Sequence, residues 1–353
     1  MENRVSRRQR NVPTINDVAK QAGVSPMTVS RVINGEQVVR AATREKVEKA
    51  IAALNYAPSA AARSLAGGEE TRIGLLYSNP SSSYLSEFLM GSLDQASRSN
   101  VHIVVEKFAD DMSVEMVVKH LQRGRIDGIV LPPPLCDSEE MLEALRAASI
   151  PTIVVASGQP PKDISAVSID DHDAAYAMTR HLIALGHQRI GFIKGNPDQS
   201  ASDRRFEGYA AALAEAGIAA EIILIEQGYF TYRSGLDAAE KILDLPVPPT
   251  AIFASNDDMA AATVAVAHRR GLDVPGDLTV CGFDDTPLAT TIWPELTTIH
   301  QPISDMSRAA VDLLVRQLRA RGGKAGEPNH MLLDYQLVRR QSDAAPRKRP
   351  RQG

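Results

Sequence analysis

The polar residues of this chain that are best placed for chemistry stand at the ends of short apolar runs. Asn79 comes just after Arg72-Ile73-Gly74-Leu75-Leu76-Tyr77, and Asn256 and Asp257 follow Ala251-Ile252-Phe253-Ala254-Ser255. Asp284 and Asp285 follow Thr279-Val280-Cys281-Gly282-Phe283, and Arg204 and Arg205 come soon after the turn KGNPDQS. In layered α/β proteins, ligands sit at the carboxyl ends of strands. Amides, carboxylates and guanidinium groups gathered there donate to and accept from a hydroxyl-bearing small molecule. Each Asp or Asn is equally a helix N-cap, so none specifies a site alone.

Bond-making chemistry is not indicated. Asp284-Asp285 has the composition of a carboxylate dyad, but neighbours on a strand point to opposite faces. No GxGxxG follows a strand, and neither GxxxxGK[ST] nor GxSxG occurs, so no nucleotide cofactor and no acyl-transfer site is expected. The two cysteines, Cys136 and Cys281, are far apart and lack metal-ligand spacing. Cys281 reads as a core residue and His187, beside Gly186, as packing. The expectation is a protein that is not an enzyme and holds no metal and no cofactor.

The elements that position these residues come in two kinds. Residues 1–68 carry eleven Lys or Arg against five Asp or Glu, a formal +6, on a chain whose overall charge is −4. Arg347, Lys348, Arg349 and Arg351 add a second basic cluster at the end. A basic block on an acidic body fits an anionic partner for the block, although a solvated surface has the same composition. With 44% hydrophobic and 23% charged residues, the chain has a globular composition. No apolar run reaches the ~18 residues of a membrane span. The basic start, MENRVSRRQRNVP, leads into no apolar signal core, so a soluble, cytoplasmic protein is expected.

Within the basic block, Thr14 and Asp17 form a capping box, and Ile15, Val18, Ala19 and Ala22 share one helical face. Gly23 ends that helix, Ser25-Pro26 opens a second, and Asn34-Gly35 stops it. The second helix turns Val29, Val32 and Ile33 inward. A third follows Thr43, with Val47, Ala50, Ile51 and Leu54 on one face. Two short helices joined by a glycine turn make a helix-turn-helix, whose second helix enters a major groove. Pro26, Met27, Ser30 and Arg31 lie on its outer side. Arg31 suits a guanine edge, Met27 a thymine methyl, and Thr28 and Ser30 phosphate. A three-helix bundle that binds protein has the same local pattern. Pro58–Ala66 is about two alanine-rich turns, marginal as an isolated helix. Gly67-Gly68-Glu69-Glu70 then reads as a linker.

Beyond it, strands and helices alternate: strands near Arg72–Tyr77, His102–Val105, Gly128–Leu131, Thr152–Val155, Arg189–Lys194, Glu221–Ile225, Ala251–Ala254 and Leu278–Phe283, with helical stretches between them, one over Arg205–Ala216. Gly186, Gly217 and Gly271 mark helix ends. This rhythm predicts parallel sheets covered by helices, repeated in two subdomains.

Residues 14–34, TINDVAKQAGVSPMTVSRVIN, and 43–66, TREKVEKAIAALNYAPSAAARSLA, resemble the DNA-binding headpiece and hinge helix of the lactose-repressor (LacI/GalR) family. VSIDDHDAAYAMTRHLIALGHQRIGFIKG, DRRFEGYAAALAEAGI, PTAIFASNDDMAAATVAVAHRRGLDVPGDLTVCGFDD and PELTTIHQPI resemble that family's effector-binding body. The resemblance implies an α/β protein: an all-α headpiece (1–57), a hinge (58–68), a two-subdomain body like a periplasmic binding protein (69–343) and a basic tail (344–353). It implies operator contacts from Thr14, Ser25, Pro26, Met27, Thr28, Ser30, Arg31 and Asn34. Leu65, with Ala62 and Arg63 nearby, would enter the minor groove as a wedge. In the body, Arg205, Asn256 and Asp284 match positions that hold ligand hydroxyls, Phe230 matches a stacking aromatic, and Asp173 lies near another polar contact. The loop after the first strand departs from the commoner D-x-x-N-P-F-F pattern and reads Ser78-Asn79-Pro80-Ser81-Ser82-Ser83-Tyr84. Its serines favour a hydroxyl-rich ligand over a purine, with Asn79 and Tyr84 at the pocket, although a polar helix start reads the same way.

The implied function is a ligand-responsive transcription regulator, most simply a repressor of carbohydrate-utilisation genes, that binds a near-palindromic operator as a homodimer. After Val338 the chain reads RRQSDAAPRKRPRQG, with no apolar heptads for a tetramer-forming zipper. The runner-up is a sugar-binding component of a transport system.

Overall fold

The computed structural model describes residues 13–33, 39–54, 56, 71–78, 81–108, 112–320 and 327–347. The chain divides into two compact units, Met1–Glu70 and Thr71–Gly353. The hinge stretch 58–68, with Ala62, Arg63 and Leu65, lies outside the described residues, as do Asn34 and Asn79.

The first unit contains α1 (Ile15–Ala22), α2 (Pro26–Ile33) and α3 (Ala41–Leu54). Asp17 Oδ2 accepts hydrogen bonds from the Thr14 amide at 2.8 Å and from the Thr14 hydroxyl at 2.7 Å, and these hold its carboxyl below the usual range. Gly23 closes α1 in the left-handed region, at φ 66°. Ser25 Oγ accepts the Thr28 amide at 3.2 Å, as an N-cap does. Val18, Ala19, Val29, Val32, Val47, Ala50 and Tyr56 form a small core of their own.

The second unit contains two six-stranded sheets. In chain order it runs β1 (Arg72–Tyr77), α4 (Ser82–Ser99), β2 (His102–Lys107), α5 (Val114–Arg123), β3 (Gly128–Leu131), α6 (Glu139–Ala147), β4 (Thr152–Val155), β5 (Ser165–Ser168) and α7 (Asp171–Ala184). It continues with β6 (Ile190–Lys194), α8 (Ser200–Glu215), β7 (Ile225–Gln227), α9 (Tyr232–Leu243), β8 (Ala251–Ala254), α10 (Asp257–Arg269) and β9 (Thr279–Asp284). It ends with α11 (Leu288–Thr291), β10 (Thr297–His300), α12 (Ile303–Arg319), β11 (His330–Leu332) and β12 (Gln336–Val338). The strand orders are β11-β5-β4-β3-β1-β2 and β12-β10-β9-β8-β6-β7. All pairings are parallel except β10–β12. Strands β3, β5, β8 and β9 are buried along their whole length, because helices cover both faces of a parallel sheet.

The chain passes between the sheets three times: after β5, after β10, and between β11 and β12. The first passage carries α7 onto the second sheet, and the second returns α12 to the first. Two helix pairs, α4–α12 and α7–α8, pack through glycine. A Cβ on Gly91 would lie 2.1 Å from Ser304 O, and one on Gly208 would lie 2.1 Å from His172 O.

Two expectations shift. The apolar run at Glu221–Ile225 makes a 3-10 turn (Ile222–Leu224), and β7 begins at Ile225, because that residue pairs with Phe192. Helix α8 starts at Ser200, five residues before Arg205, because Asp137 caps it from the other sheet's side: Ser200 N donates to Asp137 Oδ2 at 3.0 Å. A cap from so far along the chain leaves no local signal.

Gly208→Ala should lower stability by about 1–3 kcal/mol, since the obstacle is backbone and cannot rotate away. A urea titration reads it as a lower midpoint with an unchanged slope.

Candidate functional site

Both sheets reverse their strand order, at β1/β3 in the first and β6/β8 in the second. Such switch points open crevices at the carboxyl edge. Here the carboxyl edges contribute Ser81 and Tyr84 after β1, Pro133 after β3, Ala156 after β4, Gln199, Ala201 and Arg205 after β6, Asn256 after β8, Asp284 at the end of β9 and Gln301 after β10. Phe230, ahead of α9, completes the wall. The free space between them is about 30 Å³.

Arg205 lies at the floor and is 5% exposed. Its Nε donates to Asp171 Oδ1 at 2.7 Å, Nη1 to the Ser255 carbonyl at 2.5 Å and Nη2 to Gln301 Oε1 at 3.1 Å. The guanidinium stacks 3.6 Å from the Phe283 ring centroid, and Asp284 Oδ1 stands 3.7 Å from Nη1. Burial pushes the carboxyls of Asp171 and Asp284 up, and Arg205 opposes the shift in both. Asn256 caps α10 by accepting the Met259 amide at 3.0 Å, while its Nδ2 donates to the Phe230 carbonyl at 3.1 Å. Phe230 sits at φ 57°, and its ring lies flat where a side chain on residue 195 would be, so Gly195 is required there. Tyr84 is 6% exposed, and its hydroxyl has no hydrogen-bond partner. Burial keeps that phenol neutral, able both to donate and to accept.

The structure therefore brings Tyr84, Arg205, Phe230, Asn256 and Asp284 around one cavity. It does not bring Asp173. Asp173 is exposed, and its carboxylate accepts the Tyr335 hydroxyl at 2.6 Å. Two residues along a helix differ by about 200°, so Asp171, not Asp173, faces the floor. Gln301, Asp171 and Asp258 were not singled out in the sequence. Gln301 carried the strand-end signal in TTIHQPI, whereas the inward turn of Asp171 depends on how α7 is rotated. Asp284 and Asp285 do point apart: Asp285 accepts from Arg340 at 2.5 Å and lies 3.1 Å from His300 Nδ1. Both have positive φ, 105° and 57°, strain that suits a site and is held by these contacts.

Across the cleft, Ser81 Oγ donates to Asp258 Oδ2 at 2.6 Å. Asp137 Oδ1 also accepts across the cleft from Ser200 Oγ at 2.8 Å, and from Ser157 Oγ on its own side at 2.6 Å. Cys281 and His187 are buried, the latter between Thr250 Oγ1 at 2.8 Å and the Ala344 carbonyl at 2.9 Å, in keeping with packing roles. Among the described residues no cluster of His, Cys, Asp or Glu could hold a metal ion, and no helix is long and apolar enough to cross a membrane.

In the first unit, Pro26, Met27 and Arg31 are exposed on the face of α2 opposite buried Val29 and Val32, and Ser30 is half-buried. Thr28 is half-buried, and its hydroxyl lies 2.9 Å from that of exposed Ser25; Thr14 is exposed.

Two sequence profiles match this arrangement: bacterial regulatory proteins of the lacI family over residues 14–59, and a periplasmic binding protein-like domain over 179–342. Catabolite control protein A of Priestia megaterium is 36% identical over 307 residues, 86% of this chain and 92% of that one. The chain belongs to the lacI family. Among solved structures, the lac repressor dimer bound to operator and the anti-inducer ONPF superposes with a TM-score of 0.78 at 31% identity, over 94% of this chain and 99% of that one. A transcriptional regulator CelR–cellobiose complex gives 0.72 at 31% identity over the same shares. This lacI-family member is thus a DNA-binding transcriptional regulator, and the transport reading is set aside.

Asp171→Ala leaves a buried guanidinium short of its nearest counter-ion and should cost on the order of 3 kcal/mol, against about 1 kcal/mol or less for Asp173→Ala. Chemical denaturation of both variants checks the contrast. Asp257, fully buried beneath the site, accepts from Thr298 Oγ1 at 2.7 Å and Thr286 N at 2.8 Å, yet burial raises its carboxyl to about 7. The unfolded chain releases this proton near 4 and the folded one near 7, so this group's contribution to stability falls as pH rises between them. Melting temperatures of Asp257→Asn should decline less from pH 5 to 7.5 than those of the unaltered protein.

Proposed function

We propose that the protein is a homodimeric repressor of carbohydrate-utilisation genes, acting in the cytoplasm on a two-fold operator and released by a sugar or sugar derivative. The observation that carries the effector half is the cleft. A guanidinium, a carboxylate, an amide and an unpartnered phenol converge beside the ring of Phe230, which matches hydroxyls on one side of a sugar and C–H bonds on the other. Supporting the operator half are the exposed face of α2 and the solved relative that is a dimer on its operator. In this reading Pro26, Met27 and Arg31 face base edges, while Thr14, Ser25, Thr28 and Ser30 hold phosphate. Asn34 extends the set, and Leu65, with Ala62 and Arg63, wedges the minor groove. Asn79 joins the effector set from the loop after β1.

The switch is a coupling free energy. A sugar is too large for the closed cleft, so it favours a different spacing of the two sheets' carboxyl edges. That spacing separates the paired hinge segments and weakens the DNA complex. Operator must then weaken sugar binding by the same factor.

The test is anisotropy of labelled DNA from upstream of the gene and its neighbours, at fixed salt, with and without sugars, sugar phosphates and purines. Tight binding released by a sugar is expected. Tightening by that sugar would reverse the switch and overturn release, and an absence of sequence-specific binding would overturn the regulator. Arg31→Ala should cost about 1–3 kcal/mol at the operator. Tyr84→Phe removes only a hydroxyl that lacks a partner, so DNA binding should persist while effector affinity falls about tenfold, in line with one lost hydrogen bond.

A further inference from the structure

Of the carboxylates at the cleft, Asp284 lines it, whereas Asp171 and Asp258 bond residues that line it, Arg205 and Ser81. Arg205 is answered by Asp171 in direct contact and by Asp284 at 3.7 Å. A third carboxylate, Asp258, stands at the second position of α10, where its Oδ2 accepts Ser81 Oγ at 2.6 Å and lies 3.5 Å from Asn256 Nδ2. Both of these partners line the cavity. Among the described residues no Lys, Arg or His pairs with Asp258. Asp258 is partly buried, and desolvation raises its carboxyl while the Ser81 hydrogen bond opposes the rise. The unpartnered hydroxyl of Tyr84, nine-tenths buried in the same wall, independently marks this cavity as a ligand site.

We infer that Asp258, presented together with Ser81, is a specificity-determining residue that excludes anionic effectors. The effector is a polyhydroxyl compound that is neutral or bears an amine, and it carries neither phosphate nor carboxylate. The inference rests on the effector reading of the cleft. The physical reason is that charges a few ångströms apart in a partly desolvated site interact strongly. A second anion would enter a site whose one guanidinium is already held by Asp171. A neutral hydroxyl can donate to a carboxylate without that penalty, and an ammonium group gains from it.

The experiment is calorimetric titration of the full-length protein with matched probes: glucose, glucosamine and glucose 6-phosphate; galactose, galactosamine and galactose 6-phosphate; ribose and ribose 5-phosphate. The expected result is that a neutral or amino sugar binds and its phosphate counterpart binds at least about tenfold more weakly, roughly the effect of one unfavourable charge pair. In Asp258→Asn, which can still accept from Ser81, that ratio should shrink by about tenfold, while Asp173→Asn leaves it unchanged. Circular dichroism establishes that the variants fold. A phosphate counterpart that binds as tightly as its parent sugar overturns the inference, and so does an unchanged ratio in Asp258→Asn; either leaves the sugar-binding cleft standing. Binding by none of the probes removes the carbohydrate reading of the cleft, and the inference with it.

Discussion

The body is organised around a buried guanidinium. Arg205 on α8 reaches Asp171 on α7, the Ser255 carbonyl after β8 and Gln301 after β10, and it stacks on Phe283 of β9. These segments are far apart in the chain, and all must be in register before the charge is satisfied. A buried ion with an incomplete set of partners costs several kcal/mol, so the constraint strongly favours one arrangement of the second sheet's carboxyl edge. It also fixes the direction in which donors face the cleft.

Closure depends on weaker forces. The two sheets meet at the cleft through hydroxyl–carboxylate contacts, Ser81 with Asp258 and Ser200 with Asp137. Hydrogen bonds of this kind contribute about 1–3 kcal/mol each, a scale that a small ligand can match. The three chain passages between the sheets keep the two halves connected. A rigid floor with a modestly held mouth is what a population shift requires, because a ligand acts only through its differential affinity for the two states.

The headpiece draws on a separate source of order. Its core is six small or medium side chains and Tyr56, with a glycine cap on the first helix, a small core for three short helices. The basic charge of residues 1–68 contrasts with the acidic remainder. An anionic polymer is thus drawn to one unit and repelled by the other.

Local rules were sufficient for much of this protein. The capping box at Thr14–Asp17, the glycine stop at Gly23 and the 3.6-residue apolar spacing specified the helix-turn-helix, because caps and periodicity act over a few residues. The strand–helix rhythm specified the parallel sheets, and the strand-end rule located Asn256 and Asp284. Where a residue's role depends on rotation or on distant partners, sequence was silent or misleading. Asp171 and Asp173 are equivalent in composition, and only the seating of α7 against α8, fixed by Gly208, turns Asp171 inward. The start of α8 depends on a carboxylate 63 residues away. The Asp258–Ser81 contact spans 177 residues. Tertiary structure decided these because the energy of burying a charge is set by what surrounds it, and those surroundings exist only once the two sheets have come together.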